Sequence, residues 1–193
     1  LAAVADPDER RIRFYGLTTT APYLNDLGEL TLDHTPEGLC FYQNIYNGQL
    51  LVTSYAEMGQ VSQYRLRADG RRFESLLSDG KEARPVRRFD VGGELSGCVA
   101  DDELGVLYVV EQNLGVWRYG ADPENVKDRS LVAATQPFGE LEEIEGIDLL
   151  YTEADNILIV GDEALGYLAY NSEGDWLGEF HLEGFEEAKQ LAL

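Results

Sequence analysis

The side chains of this chain that could do chemistry are mostly carboxylates. The sequence holds 36 acidic residues against 15 basic ones, for a formal net charge of −21. Such an excess suits a protein that binds cations, and equally a very soluble protein with a solvated acidic surface. It argues against a nucleic-acid partner, because phosphate backbones attract basic surfaces.

The sequence contains no pattern of residues typical of a zinc site, of nucleophilic catalysis or of a phosphate-binding loop. Cys40, Cys98, His34 and His181 lack the spacing of a zinc site. No Ser-His-Asp or Cys-His arrangement supports nucleophilic catalysis, and no glycine-rich loop leading into a helix is present to bind phosphate. The sequence has no apolar run of about 18 residues, so no membrane span is predicted.

Four glycine-centred repeats organise the elements that must position the acidic residues. They are Glu37-Gly38-Leu39, Ser96-Gly97-Cys98, Glu145-Gly146-Ile147 and Glu183-Gly184-Phe185. Between them the sequence alternates apolar strands with polar turns. Repeats of roughly 40–50 residues built from short strands are typical of a β-propeller, which carries function at one end of its central channel.

We therefore predict an all-β fold with a single partial β-propeller over residues 1–193. It consists of a part-blade at 1–36, three complete four-stranded blades at about 37–95, 96–144 and 145–183, and a tail at 184–193. Three blades are too few for a closed ring, because propellers close with about 4–8 blades. The open faces then need either the remaining blades of a larger ring or a second copy of the chain.

Two further patterns concern packing between blades. Tyr64, Trp117, Tyr119 and Tyr170 fall at equivalent repeat positions with a period of two, which favours an inter-blade core over a stacking platform for a ligand. Cys40 lies two residues after its glycine, whereas Cys98 lies one after. Since side chains alternate faces along a strand, the thiols would point to opposite sides. This argues against a disulfide and leaves the pairing open.

The most specific motif lies between Glu94 and Pro123. It contains Ala100-Asp-Asp-Glu-Leu-Gly105, then Leu-Tyr, then Glu111, then a strand with Trp117. This order and spacing resemble the central stretch of the β-propeller phytases, and Glu143-Ile-Glu-Gly146 resembles that family's Asp-Ile-Glu-Gly. The similarity covers nearly the whole chain and implies the middle of a six-bladed ring. Within the motif we interpret Asp101, Asp102 and Glu103 as turn acids.

The resemblance implies Ca²⁺-dependent hydrolysis of phosphate monoesters on phytate or another inositol phosphate. Its Ca²⁺ ions would neutralise substrate charge and activate a water. Carried over by position, it implies metal ligands at Glu111, Glu143, Glu145 and Asp162, of which Glu111 and Glu145 would be catalytic. Together with the acidity, it also implies a secreted or periplasmic bacterial protein.

Several positions depart from the family's pattern: Glu37, Tyr55, Ser96, Gln112 and Asn113. Ser96 replaces a glutamate, and Tyr55 falls where a phosphate-binding lysine is usual. Glu37 replaces a tyrosine and would repel a polyanionic substrate. We therefore expect an accessory or weakly active phytase-like domain beside a catalytic phytase domain. Alternatives are a working site completed by further blades or a second chain, and a non-catalytic binding or scaffold propeller.

Overall fold

The computed structural model describes residues 1–69, 72–75, 82–125 and 129–182, whose strands form four separate antiparallel sheets. The first sheet holds β1 (Ala2–Asp6), β2 (Arg11–Leu17) and β3 (Leu24–Thr31). The second holds β4 (Gly38–Gln43), β5 (Leu50–Tyr55), β6 (Gln60–Asp69), β7 (Arg72–Ser75) and β8 (Arg87–Asp90). The third holds β9 (Leu95–Asp101), β10 (Val106–Glu111), β11 (Gly115–Gly120) and β12 (Ser130–Ala134). The fourth holds β13 (Ile144–Leu150), β14 (Ile157–Asp162), β15 (Gly166–Tyr170) and β16 (Trp176–Phe180).

The second, third and fourth sheets share one topology, in which strands that follow one another along the chain are neighbours. Their first strands lie against each other, β4 beside β9 and β9 beside β13, and so form the inner edges of successive blades. The second sheet contains β7, a strand that the sequence did not reveal. β8 pairs with residues 60–63 of β6, while β7 pairs with residues 66–69 of the same long strand. The predicted fold class, three complete blades and part of another, is confirmed.

The middle strands of the second and third sheets are buried on both sides because each of these two blades lies between two others. In β10, Val106, Tyr108 and Val110 enter the core shared with the fourth sheet. Leu107 and Val109 enter the core shared with the second sheet. Side chains alternate faces along a strand, so a strand with a core on each side shows a continuous apolar run rather than an alternating one.

The aromatic residues at equivalent repeat positions pack between blades, as predicted. Tyr64, Tyr119 and Tyr170 are 0%, 6% and 1% exposed, and each lies in a different inter-sheet core. Trp117 is only half-buried. The guanidinium of Arg129 lies 3.7 Å from the centre of its ring, in a cation–π arrangement.

Cys40 and Cys98 form a disulfide between β4 and β9, so the sequence argument against pairing is wrong. That argument placed the two thiols on opposite faces of equivalent strands. Neighbouring blades stack with opposite faces toward each other, however, and opposite faces are therefore the ones that meet. The disulfide joins the inner strands of two successive blades.

The fourth glycine repeat at 183–185 and the predicted tail at 184–193 lie outside the described residues. Within the part of the chain that the structure describes, no helix is long and apolar enough to cross a bilayer.

Candidate functional site

Glu145 and Ser96 occupy equivalent β-bulges near the beginning of two inner strands. The pairing of β13 with β14 shifts register around Glu145, and the pairing of β9 with β10 shifts around Ser96. A bulge adds one residue to a strand and re-aims its side chain, often beside a functional site. Ser96 Oγ donates a 2.8 Å hydrogen bond to the carbonyl of Ile144, so the two bulges adjoin.

Asp162, at the end of β14, organises the turns around the bulge in β13. Its Oδ2 accepts hydrogen bonds from the amides of Glu142 (2.7 Å) and Glu143 (3.0 Å). Its Oδ1 accepts from the amides of Ala164 and Leu165, both at 3.0 Å. The side chain is fully buried, and both oxygens are engaged by backbone N–H groups. Asp162 therefore fixes the two segments that carry nearby glutamates, and its predicted role as a metal ligand stays a prediction.

Three glutamates converge at this point. Glu143, Glu145 and Glu163 each offer a carboxylate oxygen, and these oxygens lie within 4.8 Å of one another. Glu143 precedes β13, Glu145 is the bulged residue, and Glu163 lies in the β14–β15 turn, where its amide donates to the carbonyl of Glu143 (2.9 Å). The structure thus brings together two of the predicted ligands. Glu163 was missed, although an Asp ending a strand before a tight turn is a signal that the next residue leaves the sheet.

The cluster fits a calcium ion by donor type and charge. Ca²⁺ binds carboxylate oxygens, alone or in pairs from one side chain. Glu143 and Glu163 are exposed and Glu145 is half-buried, so the cluster is open to solvent. Among the described residues, none of the three is joined to an arginine or lysine by an ion pair. Three like charges this close repel one another, and a divalent cation between them would offset the repulsion.

Glu111, the fourth predicted ligand, ends β10 as Asp162 ends β14, but it lies outside this cluster. Its Oε2 accepts a 2.6 Å hydrogen bond from the indole N–H of Trp117 and lies 3.9 Å from Nη2 of Arg129. Its side chain is 12% exposed, and a Cβ at Gly93 would lie 2.8 Å from Oε1. A guanidinium therefore already accompanies this carboxylate.

Tyr55 ends β5 and is the residue equivalent to Glu111 and Asp162 in the second sheet. Its phenol ring lies against Gly38, where any Cβ would collide with it, and it is 5% exposed. Burial raises the pKa of Tyr55, and the Glu37 carboxylate raises it further. The phenol is therefore neutral and supplies no positive charge for phosphate.

The acids of the Ala-Asp-Asp-Glu motif shape the β9–β10 turn. Asp101 is fully buried. One of its oxygens accepts from the amides of two following turn residues, at 2.9 and 2.8 Å. The other accepts from Nδ2 of Asn156 at 2.8 Å. Asp102 accepts a 2.8 Å hydrogen bond from the amide of Gln43. Burial raises the pKa of Asp102, and that hydrogen bond opposes the rise. The contacts of Asp101 are those of a turn acid, as predicted, whereas Asp102 joins the turn to Gln43 of the second sheet. For Glu103 the interpretation stays a prediction.

Stacked antiparallel blades and a glutamate cluster at the beginning of an inner strand define a β-propeller with a candidate cation site. The sequence pattern of the phytase family matches residues 31–189, which is most of the chain. The chain therefore belongs to the phytase family. A curated relative, 3-phytase of Bacillus subtilis (strain 168), is 25% identical over 138 residues, which make up 72% of this chain and 32% of the relative. The chain thus spans about a third of that relative's length.

Solved structures share the fold. BBS1N in complex with ARL6DN, soaked with lead, matches with a TM-score of 0.59 and 12% identity over 94% of this chain and 52% of that chain. Sqt1 of Chaetomium thermophilum, bound to the N-terminus of a ribosomal protein, matches with a TM-score of 0.58 and 14% identity over 96% of this chain and 46% of that chain. At these identities the likeness shows the fold alone.

Proposed function

We propose that this chain is an accessory, phytase-like propeller domain that binds Ca²⁺ and releases little or no phosphate from phytate by itself. The observation that carries the proposal is the convergence of Glu143, Glu145 and Glu163. It is joined by the departure of Glu37 and Tyr55 from the residues that the family resemblance implies for phosphate recognition. Family membership supports hydrolysis of phosphate monoesters as the activity of the complete enzymes. The carboxylates of Glu143 and Glu145 support the proposed binding of Ca²⁺. The residues at positions 37, 55 and 96 support the proposed accessory role.

Glu143, Glu145 and Glu163 would hold the ion through carboxylate oxygens. When bound, Ca²⁺ supplies positive charge for a phosphoryl group and acidifies a coordinated water. Asp162 contributes by fixing the backbone on both sides of the cluster, through its bonds to the amides of Glu143 and Leu165. The glutamates themselves thus need only small side-chain movements to take up a ligand.

Two positions weaken the site toward a polyanion, and a third weakens its hold on the metal. Tyr55 is a buried neutral phenol where the family uses a lysine. Glu37 adds a negative charge, and Ser96 turns its hydroxyl to the Ile144 carbonyl rather than offering a carboxylate. Glu37 is exposed, so its repulsion of a polyanion acts through solvent and is partly screened by salt. Weak substrate binding therefore follows even if the metal is present.

Phosphate release and calcium binding test the proposal separately. The purified chain would be titrated with Ca²⁺ by calorimetry and assayed for phosphate release from phytate, with millimolar calcium and with a chelator. We expect saturable Ca²⁺ binding and no chelator-sensitive release. Release at the rate of a complete phytase would refute the accessory role, and the absence of Ca²⁺ binding would refute the metal site.

Matched variants assign the binding to the cluster. Glu145→Gln and Glu163→Gln each remove one charged ligand, and we expect each to weaken Ca²⁺ binding by about tenfold or more. Glu153→Gln removes the same charge from an exposed residue of the β13–β14 turn and serves as the control. Equal binding by all three variants would show that the measured ions sit elsewhere on the acidic surface.

The disulfide supports a secreted or periplasmic location. Disulfides persist in oxidising compartments and are rare in the reducing cytosol, and Cys40–Cys98 joins two blades across their interface. In these compartments the chain would act with a catalytic phytase domain, with further blades or with a second copy, toward phytate or another inositol phosphate. A fusion to a compartment-sensitive reporter in a bacterial host tests the location.

A non-catalytic binding or scaffold propeller is the second candidate, favoured by the neutral Tyr55 at the phosphate position. Such a protein needs no tight calcium site. Submicromolar to micromolar Ca²⁺ affinity, the range of dedicated sensor and buffer sites, would argue against it.

A further inference from the structure

A second surface lies at the end of the blades opposite the glutamate cluster. Glu145 lies at the beginning of β13, and the β13–β14 turn lies at the other end of this strand, which has seven residues. A strand rises about 3.3 Å per residue, so the two ends are about 20 Å apart. The first turns of the other complete blades, β4–β5 and β9–β10, lie at the same end as the β13–β14 turn.

Hydrogen bonds join these three turns. Asp102 in the β9–β10 turn accepts from the amide of Gln43, where the β4–β5 turn begins, at 2.8 Å. The phenol of Tyr151, where the β13–β14 turn begins, accepts from the amide of Asp102 and donates to the carbonyl of Ala100, both at 3.4 Å. The first turns of three successive blades therefore form one continuous surface.

Each of the three turns exposes a large apolar side chain. Tyr46 is 88% exposed, and Ile45, Leu104 and Tyr151 are exposed as well. The side chain of the buried Asn44 accepts a 3.0 Å hydrogen bond from the amide of Tyr46, which fixes the backbone of the β4–β5 turn. Neighbouring apolar groups on a protein surface mark interaction sites, whereas single ones are common everywhere. We call these four exposed residues the first-turn surface.

Four acids lie beside the first-turn surface. They are Asp102 and Glu103 of the β9–β10 turn, and Asp122 and Glu124 of the β11–β12 loop. That loop is joined to the β4–β5 turn by a 3.2 Å hydrogen bond from Nδ2 of Asn44 to Asp122. Among the residues that the structure describes, none of the four carboxylates forms an ion pair with an arginine or a lysine. The exposed apolar groups are thus set in a negative field that the protein does not neutralise there.

A cavity of about 330 Å³ opens beside Leu104 and offers room for one large side chain. Its apolar lining comes from the β9–β10 turn and β10, and its hydrogen-bond donors come from β11, β12 and the loop between them. Side chains that fill such a pocket carry much of the binding energy of an interface. The residues that line the cavity include Leu104, Gly105, Val106, Arg118, Asn125 and Ser130.

We propose that the first-turn surface binds an extended polypeptide segment in which lysine or arginine alternates with leucine or tryptophan. One apolar side chain of the segment would occupy the cavity beside Leu104. The cationic side chains would pair with the neighbouring acids and lie over the rings of Tyr46 and Tyr151 in cation–π contacts. Complementary charge of this kind selects a partner and speeds its association.

The same acids disfavour other occupants. A second copy of the chain carries its own net charge of −21 and would be repelled. The phosphate groups of nucleic acids and of anionic lipid surfaces would be repelled for the same reason. A basic segment is therefore the occupant that the charge around this surface favours.

A labelled peptide with the sequence Lys-Leu-Arg-Leu-Lys-Trp-Arg-Leu-Lys is the probe. Added to the intact chain at about 0.15 M salt, with a chelator present, it should bind saturably by fluorescence anisotropy. One control peptide replaces leucine and tryptophan with serine, and another replaces lysine and arginine with glutamate. Neither control should bind detectably, because the surface requires both apolar and cationic groups in its partner.

Two matched aromatic variants locate the site. Tyr46→Ala removes a ring from the first-turn surface, and Phe138→Ala removes an equally exposed ring, 88% in each case, from the β12–β13 loop at the opposite end. Both variants should fold, since surface substitutions of this kind change stability little. We expect Tyr46→Ala to weaken peptide binding by about tenfold or more, and Phe138→Ala to leave it unchanged. Hydroxyl-radical footprinting of the unaltered chain with saturating peptide should protect Tyr46 and leave Phe138 reactive, which tests the site without any variant.

Two matched double variants separate local charge from overall charge. Glu103→Gln/Glu124→Gln removes two exposed carboxylates beside the first-turn surface, and Glu57→Gln/Glu140→Gln removes two exposed carboxylates at the opposite end. We expect the first double variant to weaken peptide binding by about fivefold and to flatten its salt dependence. The second double variant changes the net charge equally and should bind the peptide as the unaltered chain does.

Four outcomes would overturn the proposal. They are no saturable binding of the probe, equally tight binding of the serine peptide, equal effects of the two double variants, and a dimer in analytical ultracentrifugation that Tyr46→Ala dissociates. The last outcome would make a second copy the occupant. None depends on calcium or on phosphate release, so the proposed enzymatic role stands or falls separately.

Discussion

The buried carboxylate of Asp162 accepts a hydrogen bond from the amide of Glu143 at 3.0 Å, which ties the end of β14 to the beginning of β13. The same carboxylate holds the turn that carries Glu163. Two acidic residues that would repel each other are thereby kept close by a third acid, whose carboxylate accepts hydrogen bonds from four backbone amides. The geometry of the glutamate cluster depends on this arrangement.

Replacing Asp162 should therefore cost both stability and metal binding. Asp162→Asn keeps the shape but puts an NH₂ group where two amides need an acceptor. We expect a loss of about 2–4 kcal/mol in the free energy of unfolding, measured in urea, because buried donors are left unpaired. Asp8→Asn, in an exposed turn, should change stability by less than about 0.5 kcal/mol. Equal effects from both variants would contradict the role assigned to Asp162.

Reduction of Cys40–Cys98 should destabilise the fold. The bond closes a loop with a sequence separation of 58 residues, for which the chain-entropy model gives about 4 kcal/mol. The urea midpoint should fall when a reductant is added, and the double variant Cys40→Ala/Cys98→Ala should show the same lower midpoint with no response to reductant. A midpoint insensitive to reductant in the unaltered chain would show that the bond does not form in solution.

Substitution of Glu111 should lower the stability of the fold but leave the affinity for Ca²⁺ unchanged. Its carboxylate accepts from Trp117 and lies beside Arg129, so Glu111→Ala leaves a half-buried indole N–H unpaired. We expect a loss of about 1–3 kcal/mol in unfolding free energy and altered tryptophan fluorescence, with Ca²⁺ affinity unchanged. A tenfold weaker Ca²⁺ affinity in Glu111→Gln would instead establish Glu111 as a ligand.

His34 should make the fold sensitive to mild acid. Its Nε2 lies 3.1 Å from Ser54 Oγ and its Nδ1 lies 3.2 Å from Asp33. Burial lowers the pKa of His34 and nearby Arg88 lowers it further, while Asp33 opposes them. Burial alone would raise the pKa of Asp33, but the hydrogen bonds from Arg88 and His34 lower it overall.

Stability should fall as the pH falls, because the pKa values of His34 and Asp33 are lower in the folded chain than in the unfolded chain. The unfolded chain therefore binds more protons as the pH falls. Stability from His34 is full above its unfolded pKa of about 6.5 and is lost as the pH drops through the folded value. Urea midpoints of the unaltered chain should fall between about pH 7.5 and 5.5, whereas those of His34→Gln should change less. Parallel pH profiles for the two proteins would refute this.

Fold class could be predicted from the sequence because strand, turn and glycine repeats recur in register with the blades. β10 illustrates why: a strand between two cores must be apolar where it is buried, and residues 106–110 form such an apolar run before Glu111. The β7 strand was missed, since it extends a hairpin beyond the repeat. The disulfide was missed because the faces of two equivalent strands were compared without the stacking of their sheets, in which opposite faces meet and Cys40 reaches Cys98.

The site was predicted only in part for a similar reason. The pairing of Glu143 with Glu145 follows from their closeness in sequence, and the structure brings Glu163 to them from a turn. The Asp162 carboxylate accepts hydrogen bonds from four backbone amides. These bonds depend on the path of the backbone, which residue types alone do not specify.

Ser96 occupies the same kind of bulge as Glu145, so a carboxylate could be introduced there on an existing backbone. The backbone of β9 departs from its ladder where β13 does, and the Ser96 hydroxyl contacts the neighbouring bulge. Introducing a carboxylate there needs one codon change and no remodelling of a loop. The same backbone frame can thus carry a hydroxyl or a carboxylate at this point, and a protein engineer can choose between them with one substitution.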